Sequence, residues 1–281
     1  MKKDIFLCDQ QIMQWQTDGY LLLKHSIPHA LIEAVRQQFA HMVDNIIREL
    51  QVEGLIQQDG SDLPFEERLH TVAGNYANRF GRSWRQQVLG QPIYDLYRTP
   101  ALVSAINQIT GTDVIGHPVF NARPKLPGQQ LTVVPWHQDS GYFGSESEQA
   151  LIPTVWIPLV PVDSTNGCLQ LVIGSHRRGL LTHHTEVQEG QFLEVMDRFI
   201  DESKIVTCPM EIGDALLFHN LTLHRSKAHT NNKTIRWAID IRYLRDGDDG
   251  GSVYWNDPKF KWVISSQTQP ITSFEEWLSK W

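Results

Sequence analysis

Short β-rich runs follow one another between residues 114 and 243, and this pattern restricts the possible fold more than any other feature. Gly, Pro, Asn and Asp, which favour turns, separate them. The runs are Val114–Asn121, Leu131–His137, Thr154–Pro161, Cys168–Ile173, Ala215–His219 and Thr234–Tyr243. Because helical patterns do not alternate with these runs, the sequence predicts a β-sandwich or barrel rather than β-α-β units.

The first hundred residues read mainly as helix. Apolar residues recur there at steps of three and four, as on one face of a long amphipathic helix: Leu31, Val35, Phe39, Met42, Val43, Ile46, Ile47 and Leu50. A short apolar strand, Tyr20–Leu23, precedes this helix. Pro100–Thr110 predicts a further helix, closed by Gly111.

No linker separates the helical part from the β-rich part, so we expect one domain over residues 1–281. Its predicted fold is mainly β with flanking helices: a double-stranded β-helix (jelly roll, cupin-like) buttressed by N-terminal helices. Residues 1–112 form the helical part, 113–245 the core and 246–281 a C-terminal extension. A mixed, charged segment at about 179–205 reads as an insertion with some helix.

Composition disfavours several classes of protein. The net charge of −7 argues against a nucleic-acid partner. The longest apolar runs are too short to span a bilayer, and no apolar stretch follows the two N-terminal lysines as in a secretory signal. Three cysteines without a C-x-x-C motif fit neither a disulfide framework nor a zinc knuckle. We therefore expect a cytoplasmic protein that acts on a small molecule, with no membrane partner.

The segment Pro135-Trp136-His137-Gln138-Asp139 is the first that indicates chemistry. Residues two apart on a strand share a face, so His137 and Asp139 can present an imidazole and a carboxylate together. This pair is half of the 2-His-1-carboxylate triad that holds Fe(II) with open coordination positions. A chain with 12 histidines is expected to contain about one H-x-D by chance, so a second histidine is needed.

Two histidines near residue 220 could complete the triad. His219 and His224 are five residues apart and face opposite sides of a straight strand, so one of them points at the metal. We favour His224, because it shares its side with Ser226, whose hydroxyl could bind a ligand beside the metal. His219 is assigned to backbone hydrogen bonds at the strand end. Arg236 could supply a bidentate guanidinium for a carboxylate.

Five ordered motifs support one another along the chain: DGYLLLK before a long helix, HQDSGYF, TVWIPL, NGCLQLVIGSHRRG, and GDALLFH…HRS…R followed by Tyr243. Together they resemble the phytanoyl-CoA dioxygenase family of Fe(II)/2-oxoglutarate oxygenases. The resemblance covers most of the chain. It implies the cofactors Fe(II) and 2-oxoglutarate, with O₂ as cosubstrate.

The resemblance also implies roles for single residues. It implies that His137, Asp139 and His224 bind iron, and that Arg236 and Ser226 bind the distal carboxylate of 2-oxoglutarate. Additional cosubstrate contacts are carried over to Asn121, His117 and Trp156.

Among these additional contacts, Asn121 matches a position at the metal-proximal end of the cosubstrate, and His117 lies on the same face of its predicted strand. Trp156 matches an aromatic residue of the cosubstrate pocket, and a plain core tryptophan is the alternative. The segment between His224 and Arg236 is one residue longer than usual, which could shift the register.

Aromatic and basic residues cluster ahead of the β-rich part: Tyr76, Arg79, Arg82 and Arg85. Such a cluster ordinarily forms surface ion pairs. The alternative is a lid or wall that meets an anionic group of the substrate. Residues 56–90 and 179–205 are the candidate lid segments.

The resemblance implies a hydroxylase that produces succinate and CO₂. Halogenating relatives replace the carboxylate ligand with a small residue, and this chain retains Asp139. We expect tailoring of a secondary metabolite, alkaloid-like or otherwise polar, with acyl-CoA 2-hydroxylation as the alternative.

Three other classes remain open. A zinc-dependent hydrolase could use the same His/Asp/His set, but it would need neither Arg236 nor Ser226. A metal-free binding module would tolerate the loss of a triad member, and none is lost. A cupin enzyme would carry a further His or Glu near the first motif.

Overall fold

The computed structural model of the protein describes residues 7–80, 84–127, 132–184, 192–230, 233–251 and 262–281. The helices are α1 (Asp9–Asp18), α2 (His29–Val52), α3 (Phe65–Ala73), α4 (Gln91–Tyr97), α5 (Pro100–Thr110) and α6 (Phe274–Leu278). The strands are β1 (Tyr20–Leu23), β2 (Val114–Gly116), β3 (Asn121–Lys125), β4 (Thr154–Pro158), β5 (Leu169–Val172), β6 (Ile205–Cys208), β7 (Ala215–Phe218), β8 (His224–Ser226), β9 (Arg236–Arg245) and β10 (Trp262–Val263).

The strands form two antiparallel sheets. The larger sheet has the order β1-β7-β4-β9-β2-β10, with β3 also paired to β9, and the smaller one has the order β6-β5-β8. Neighbours in the sheets are far apart in the chain, as β1 and β7 show. This is the jelly-roll core that the sequence predicts.

The N-terminal helices cover one face of the larger sheet. Phe39 of α2 meets Trp237 of β9 edge-on, with ring centroids 5.7 Å apart, and Phe65 of α3 stacks on the same indole at 5.3 Å. Trp237 is fully buried. Aromatic pairs of this kind add stability beyond the area they bury. The helices therefore buttress the sheet as predicted.

The C-terminal residues pack on the same core. Strand β10 pairs with β2, and Trp262 of that strand contacts Trp277 of α6 with ring centroids 5.8 Å apart. None of the helices in the described ranges combines the length and the hydropathy needed to cross a bilayer.

Two of the predicted strands are wrong in detail, and proline explains both. The run Val114–Asn121 is divided, because β2 ends at Gly116 and Pro118 lies between it and β3. In the run Leu131–His137, residue 131 lies outside the described residues, and 132–137 form a single bridge, from His137 to His224. Pro135 has no N–H to donate to a ladder.

Candidate active site

Four strands of the larger sheet, β3, β4, β7 and β9, contribute side chains to the wall of a cavity of about 200 Å³. Alternate residues of a strand share a face, so β9 presents Arg236, Asp240 and Arg242 there. The register places Asn121 of β3 and Trp156 of β4 on either side of Asp240. A β9 face that is charged but buried thus forms the floor of the site.

His137 and His224 lie side by side in this cavity. Each backbone N–H donates to the other residue's carbonyl at 3.0 Å, and the imidazole centroids are 4.0 Å apart. Each Nδ1 lies 2.9 Å from a backbone carbonyl, that of Pro135 or of Thr222. A carbonyl only accepts, so Nδ1 carries the proton and the Nε2 lone pair of each ring is free for a metal.

Asp139 completes the group at the start of a short 3₁₀ turn. Its Oδ1 lies 3.9 Å from Nε2 of His137 and 3.8 Å from Nε2 of His224. The three candidate ligand atoms lie within 4.8 Å of one another. Two imidazoles and one carboxylate fit Fe(II) with open coordination positions.

Hydrogen bonds hold the Asp139 carboxylate in place. Thr154 donates to Oδ2 at 2.6 Å, while Arg242 donates from Nε to Oδ2 at 3.0 Å and from Nη2 to Oδ1 at 3.1 Å. The same guanidinium donates to Asp240 at 2.6 Å. These bonds orient the carboxylate and leave Oδ1 facing the two imidazoles.

The charges of the site match the needs of a divalent cation. Burial raises the pKa of Asp139, but Arg242 and the two histidines outweigh it, so this pKa lies below its ordinary value and the group is ionised. Burial lowers the pKa of both His137 and His224, which keeps them neutral. Metal ligands must be deprotonated in this way. Burial opposes the charge of Arg242, but Asp139 and Asp240 raise the pKa of that arginine.

Arg236 occupies another part of the cavity wall. It is 3% exposed, and its Cζ lies 5.4 Å from the centre of the Trp156 ring. Among the described residues, its Nε and Nη1 have no hydrogen-bond partner. Burial, followed by repulsion from Arg123, lowers the pKa of Arg236 to about 10, so it is charged at neutral pH. Ser226 and Trp156 also line the cavity, which gives an anion both a cation and a hydroxyl.

Two of the expected cosubstrate contacts have other partners. Asn121 lines the cavity, but its amide donates to Asp240 at 2.7 Å. His117 lies beyond the end of β2 and so does not share a strand with Asn121, contrary to the prediction. Its Nδ1 accepts from the Val119 N–H, and its ring packs on Phe143 at 4.9 Å. Within the described residues, His117 does not line the cavity.

His219 lies apart from the proposed metal ligands. Its ring packs near Trp15 at 6.1 Å and His176 at 5.3 Å, and its Nδ1 accepts from the Leu221 N–H. The prediction that His219 and His224 lie on one straight strand is wrong. Strand β7 ends at Phe218, and a turn precedes β8.

The aromatic and basic cluster is only partly covered by the structure. Tyr76 is 39% exposed and, among the described residues, is not part of the cavity lining. The Arg79 side chain and all of Arg82 lie outside the described residues. Arg85 lies with its Cζ 6.0 Å from the Trp281 ring and, together with Asn121, lines a second cavity.

Thr154, Arg242 and Asp240 were not identified from the sequence. Asp240 and Arg242 could have been found from the sequence, because they lie an even number of residues from Arg236 and so share its face of β9. Charged side chains on a strand that is otherwise buried indicate a functional site. Thr154 stands opposite Arg242 in the register, and only the strand pairing shows this.

Comparison with known protein families identifies the family of this chain. The profile of the family described as "Phytanoyl-CoA dioxygenase (PhyH)" matches residues 15–238. The chain belongs to this family. This phytanoyl-CoA dioxygenase family member is therefore a non-haem Fe(II)- and 2-oxoglutarate-dependent oxygenase, and its His-Asp-His group fits that chemistry.

Individual relatives of this family member are distant. A probable phytanoyl-CoA dioxygenase of Caenorhabditis elegans is 23% identical over 85% of this chain and 76% of the relative. The human peroxisomal phytanoyl-CoA dioxygenase is 24% identical over 82% and 66%. The 1-deoxypentalenic acid 11-beta-hydroxylase of Streptomyces exfoliatus is 27% identical over 53% and 55%.

Solved structures share the fold of this family member. The epimerase SnoN, in complex with Fe³⁺, alpha ketoglutarate and nogalamycin RO, superposes with a TM-score of 0.59 and 17% identity over 94% of this chain and 95% of SnoN. The non-haem monooxygenase ThoJ gives 0.58 and 20% identity over 84% and 77%.

Proposed function

We propose that His137, Asp139 and His224 hold Fe(II), and that Arg236 and Ser226 hold the distal carboxylate of 2-oxoglutarate. The proposed reaction is hydroxylation of an unactivated C–H bond of a small natural product, with release of succinate and CO₂. Buried Arg236 carries the proposal, because two of its guanidinium nitrogens have no hydrogen-bond partner in the part of the chain that the structure describes, and Arg236 lines the cavity that also holds the His-Asp-His group. A buried cation of this kind requires an anion.

Iron and 2-oxoglutarate, when bound, supply the oxidising chemistry. The chain's own contribution is to hold and orient them. The carbonyls of Pro135 and Thr222 fix the two imidazoles, and Arg242 fixes Asp139. Trp156, which packs against Arg236, would flank the cosubstrate. Asn121 would contribute indirectly, because its amide orients the Asp240 carboxylate. Holding reactants in one geometry lowers the barrier to their reaction.

Apolar and aromatic side chains dominate the rest of the cavity wall: Val119, Tyr142, Phe143 and Phe192. They would hold the carbon skeleton of the substrate and keep water away. Within the described residues, the cavity lining carries three arginines (Arg123, Arg236, Arg242) and two aspartates (Asp139, Asp240), so one positive charge remains among them. Because Fe(II) and the cosubstrate dianion cancel, this balance favours a neutral or acidic natural product over a cationic alkaloid.

A relative named as a 1-deoxypentalenic acid hydroxylase supports this substrate class. Relatives named as phytanoyl-CoA dioxygenases support the alternative, an acyl-CoA 2-hydroxylase. The assignment of Tyr76, Arg79 and Arg82 to the substrate remains a prediction, as does a cytoplasmic location.

The test is an anaerobic titration with Fe(II) and 2-oxoglutarate, read from the visible metal-to-ligand charge-transfer band. We expect a band for the wild type that is lost in His224→Ala, kept in His219→Ala and weakened in Arg236→Ala. No band in any variant, with tightly bound zinc that supports hydrolysis, would overturn the proposal.

A second assay addresses the substrate. With O₂ admitted, 1-deoxypentalenic acid and phytanoyl-CoA serve as probes of the two classes. Succinate formation coupled to a product one oxygen atom heavier identifies the accepted class. Coupled turnover of phytanoyl-CoA alone would contradict the natural-product proposal and leave the oxygenase assignment standing.

A further inference from the structure

Lys125 is a fully buried lysine beside the proposed cosubstrate site. It stands opposite Arg236 in the β3–β9 register and is 0% exposed. Its Nζ donates to Oγ of Ser226 at 2.8 Å and to the Lys227 carbonyl at 2.6 Å. Within the described residues, no carboxylate forms an ion pair with it. Buried lysines are rare and costly unless they are paired.

The surroundings increase this cost. Burial, and then the charge of Arg236, lower the pKa of Lys125 to about 6. Two paired strands thus place a charged guanidinium, Arg236, and a basic amine with a lowered pKa, Lys125, on either side of the Ser226 hydroxyl. An anion bound at Arg236 would compensate the charge of that arginine and favour the protonated form of Lys125.

The hydrogen bonds of Ser226 show how Lys125 could act. A serine hydroxyl has two acceptor lone pairs and one proton to donate. Oγ accepts from Lys125 Nζ at 2.8 Å and from the Val134 N–H at 3.2 Å, so both lone pairs are engaged. Among the described residues nothing accepts the hydroxyl proton, and Ser226 lines the cavity beside Arg236.

We propose that Lys125 is a positioning residue for the cosubstrate: it occupies one lone pair of Ser226 and thereby commits the Ser226 proton to the distal carboxylate of 2-oxoglutarate. The inference rests on the proposed function and extends it to a residue behind the cavity wall. Lys125 acts through Ser226. It does not line the cavity itself.

The expected effect follows from the strength of such a bond. A hydrogen bond to a charged group contributes enough to change an equilibrium constant by about 10-fold or more. Without Lys125, the Ser226 hydroxyl can rotate and satisfy itself elsewhere, so this contribution is lost. Lys125→Met keeps the length of the side chain but removes the ammonium, and it should weaken 2-oxoglutarate binding by about 10-fold.

Stability should move in the other direction. Replacing a buried lysine that no carboxylate of the described residues pairs with by an apolar side chain of similar volume is commonly neutral or stabilising, because the cost of burying the amine is removed. We therefore expect Lys125→Met to unfold at the same temperature as the wild type or higher while binding the cosubstrate less tightly. A merely structural lysine would give the opposite result, lower stability with unchanged affinity.

The experiment titrates 2-oxoglutarate into the anaerobic Fe(II) protein and follows the charge-transfer band. The variants are Lys125→Met, Ser226→Ala and the double variant, with Lys227→Met as the matched control. Lys227 follows Ser226 directly but, within the described residues, does not line the cavity. Steady-state assays then compare kcat and KM for 2-oxoglutarate.

If the inference is right, Lys125→Met and Ser226→Ala each weaken binding by about 10-fold, and the double variant is within about threefold of Ser226→Ala alone. KM rises and kcat at saturating 2-oxoglutarate stays unchanged. Effects that multiply in the double variant would overturn the inference, as would wild-type affinity in Lys125→Met. A wild type without any band would instead refute the proposed function and the inference together.

Discussion

Two arginines on strand β9 make equal numbers of hydrogen bonds but differ in burial, so they allow the effect of burial on stability to be measured separately. Arg242 makes three hydrogen bonds to carboxylates, two to Asp139 and one to Asp240, and its side chain is 6% exposed. Arg245 makes three to Asp248 and is 44% exposed. Breaking a buried pair costs about 3–5 kcal/mol, because the remaining charge is left unpaired. Breaking an exposed pair costs about 1 kcal/mol or less.

We therefore expect Arg242→Met to lower the free energy of unfolding of the metal-free protein by about 3–5 kcal/mol, and its Tm by on the order of 10 °C. Arg245→Met should lower the free energy of unfolding by at most about 1 kcal/mol. Urea and thermal unfolding in the presence of a chelator measure both.

Adding Asp240→Asn to Arg242→Met removes one of the two uncompensated carboxylates. This double variant should recover part of the loss. Equal losses in the two single arginine variants, or no recovery in the double variant, would refute the reasoning that charge compensation in the buried cluster stabilises the site.

Two further predictions concern the cosubstrate and the metal. Thr154→Val removes the 2.6 Å bond to Asp139 Oδ2 and should weaken Fe(II) binding by about 10–100-fold, as measured by competition with a metal-sensitive dye; unchanged affinity would contradict the role of Thr154. The second prediction is that the affinity for 2-oxoglutarate falls as the pH rises above about 6, by up to about tenfold per pH unit. The bound dianion raises the pKa of Lys125 from about 6, so binding takes up a proton, and proton uptake becomes less favourable as the pH rises. Arg236, with a pKa of about 10, stays charged, and burial raises the pKa of Cys168, so neither titrates near pH 6. The slope should vanish in Lys125→Met, and a slope that persists there would assign it to another group.

Local pattern predicted the elements that one segment of chain determines. Helix α5 and strand β1 begin and end where the apolar runs and the turn signals place them. The helical period of α2 predicted its buried face, with Phe39 at its centre. These features depend on side chains close together in sequence, so a single sequence contains them.

Contacts across strands could not be predicted in the same way. Arg242 stands opposite Thr154 because β9 pairs with β4 in one register, and it reaches Asp139 in a turn outside both strands. Lys125 of β3 meets Ser226 of β8, although the two strands lie in different sheets. A shift of one residue would turn each of these side chains to the other face. The order of the motifs predicts that His137 and His224 bind the same metal, but only the bridge between the two residues gives the distances between their side chains.

The central claim is tested most directly by an anomalous-diffraction map at the iron edge, from anaerobic crystals with Fe(II) and 2-oxoglutarate. The claim predicts one peak bounded by Nε2 of His137, Nε2 of His224 and Oδ1 of Asp139, with a carboxylate of the cosubstrate against Arg236 and Ser226. A peak elsewhere, or a cosubstrate that leaves Arg236 without an anion, would contradict it.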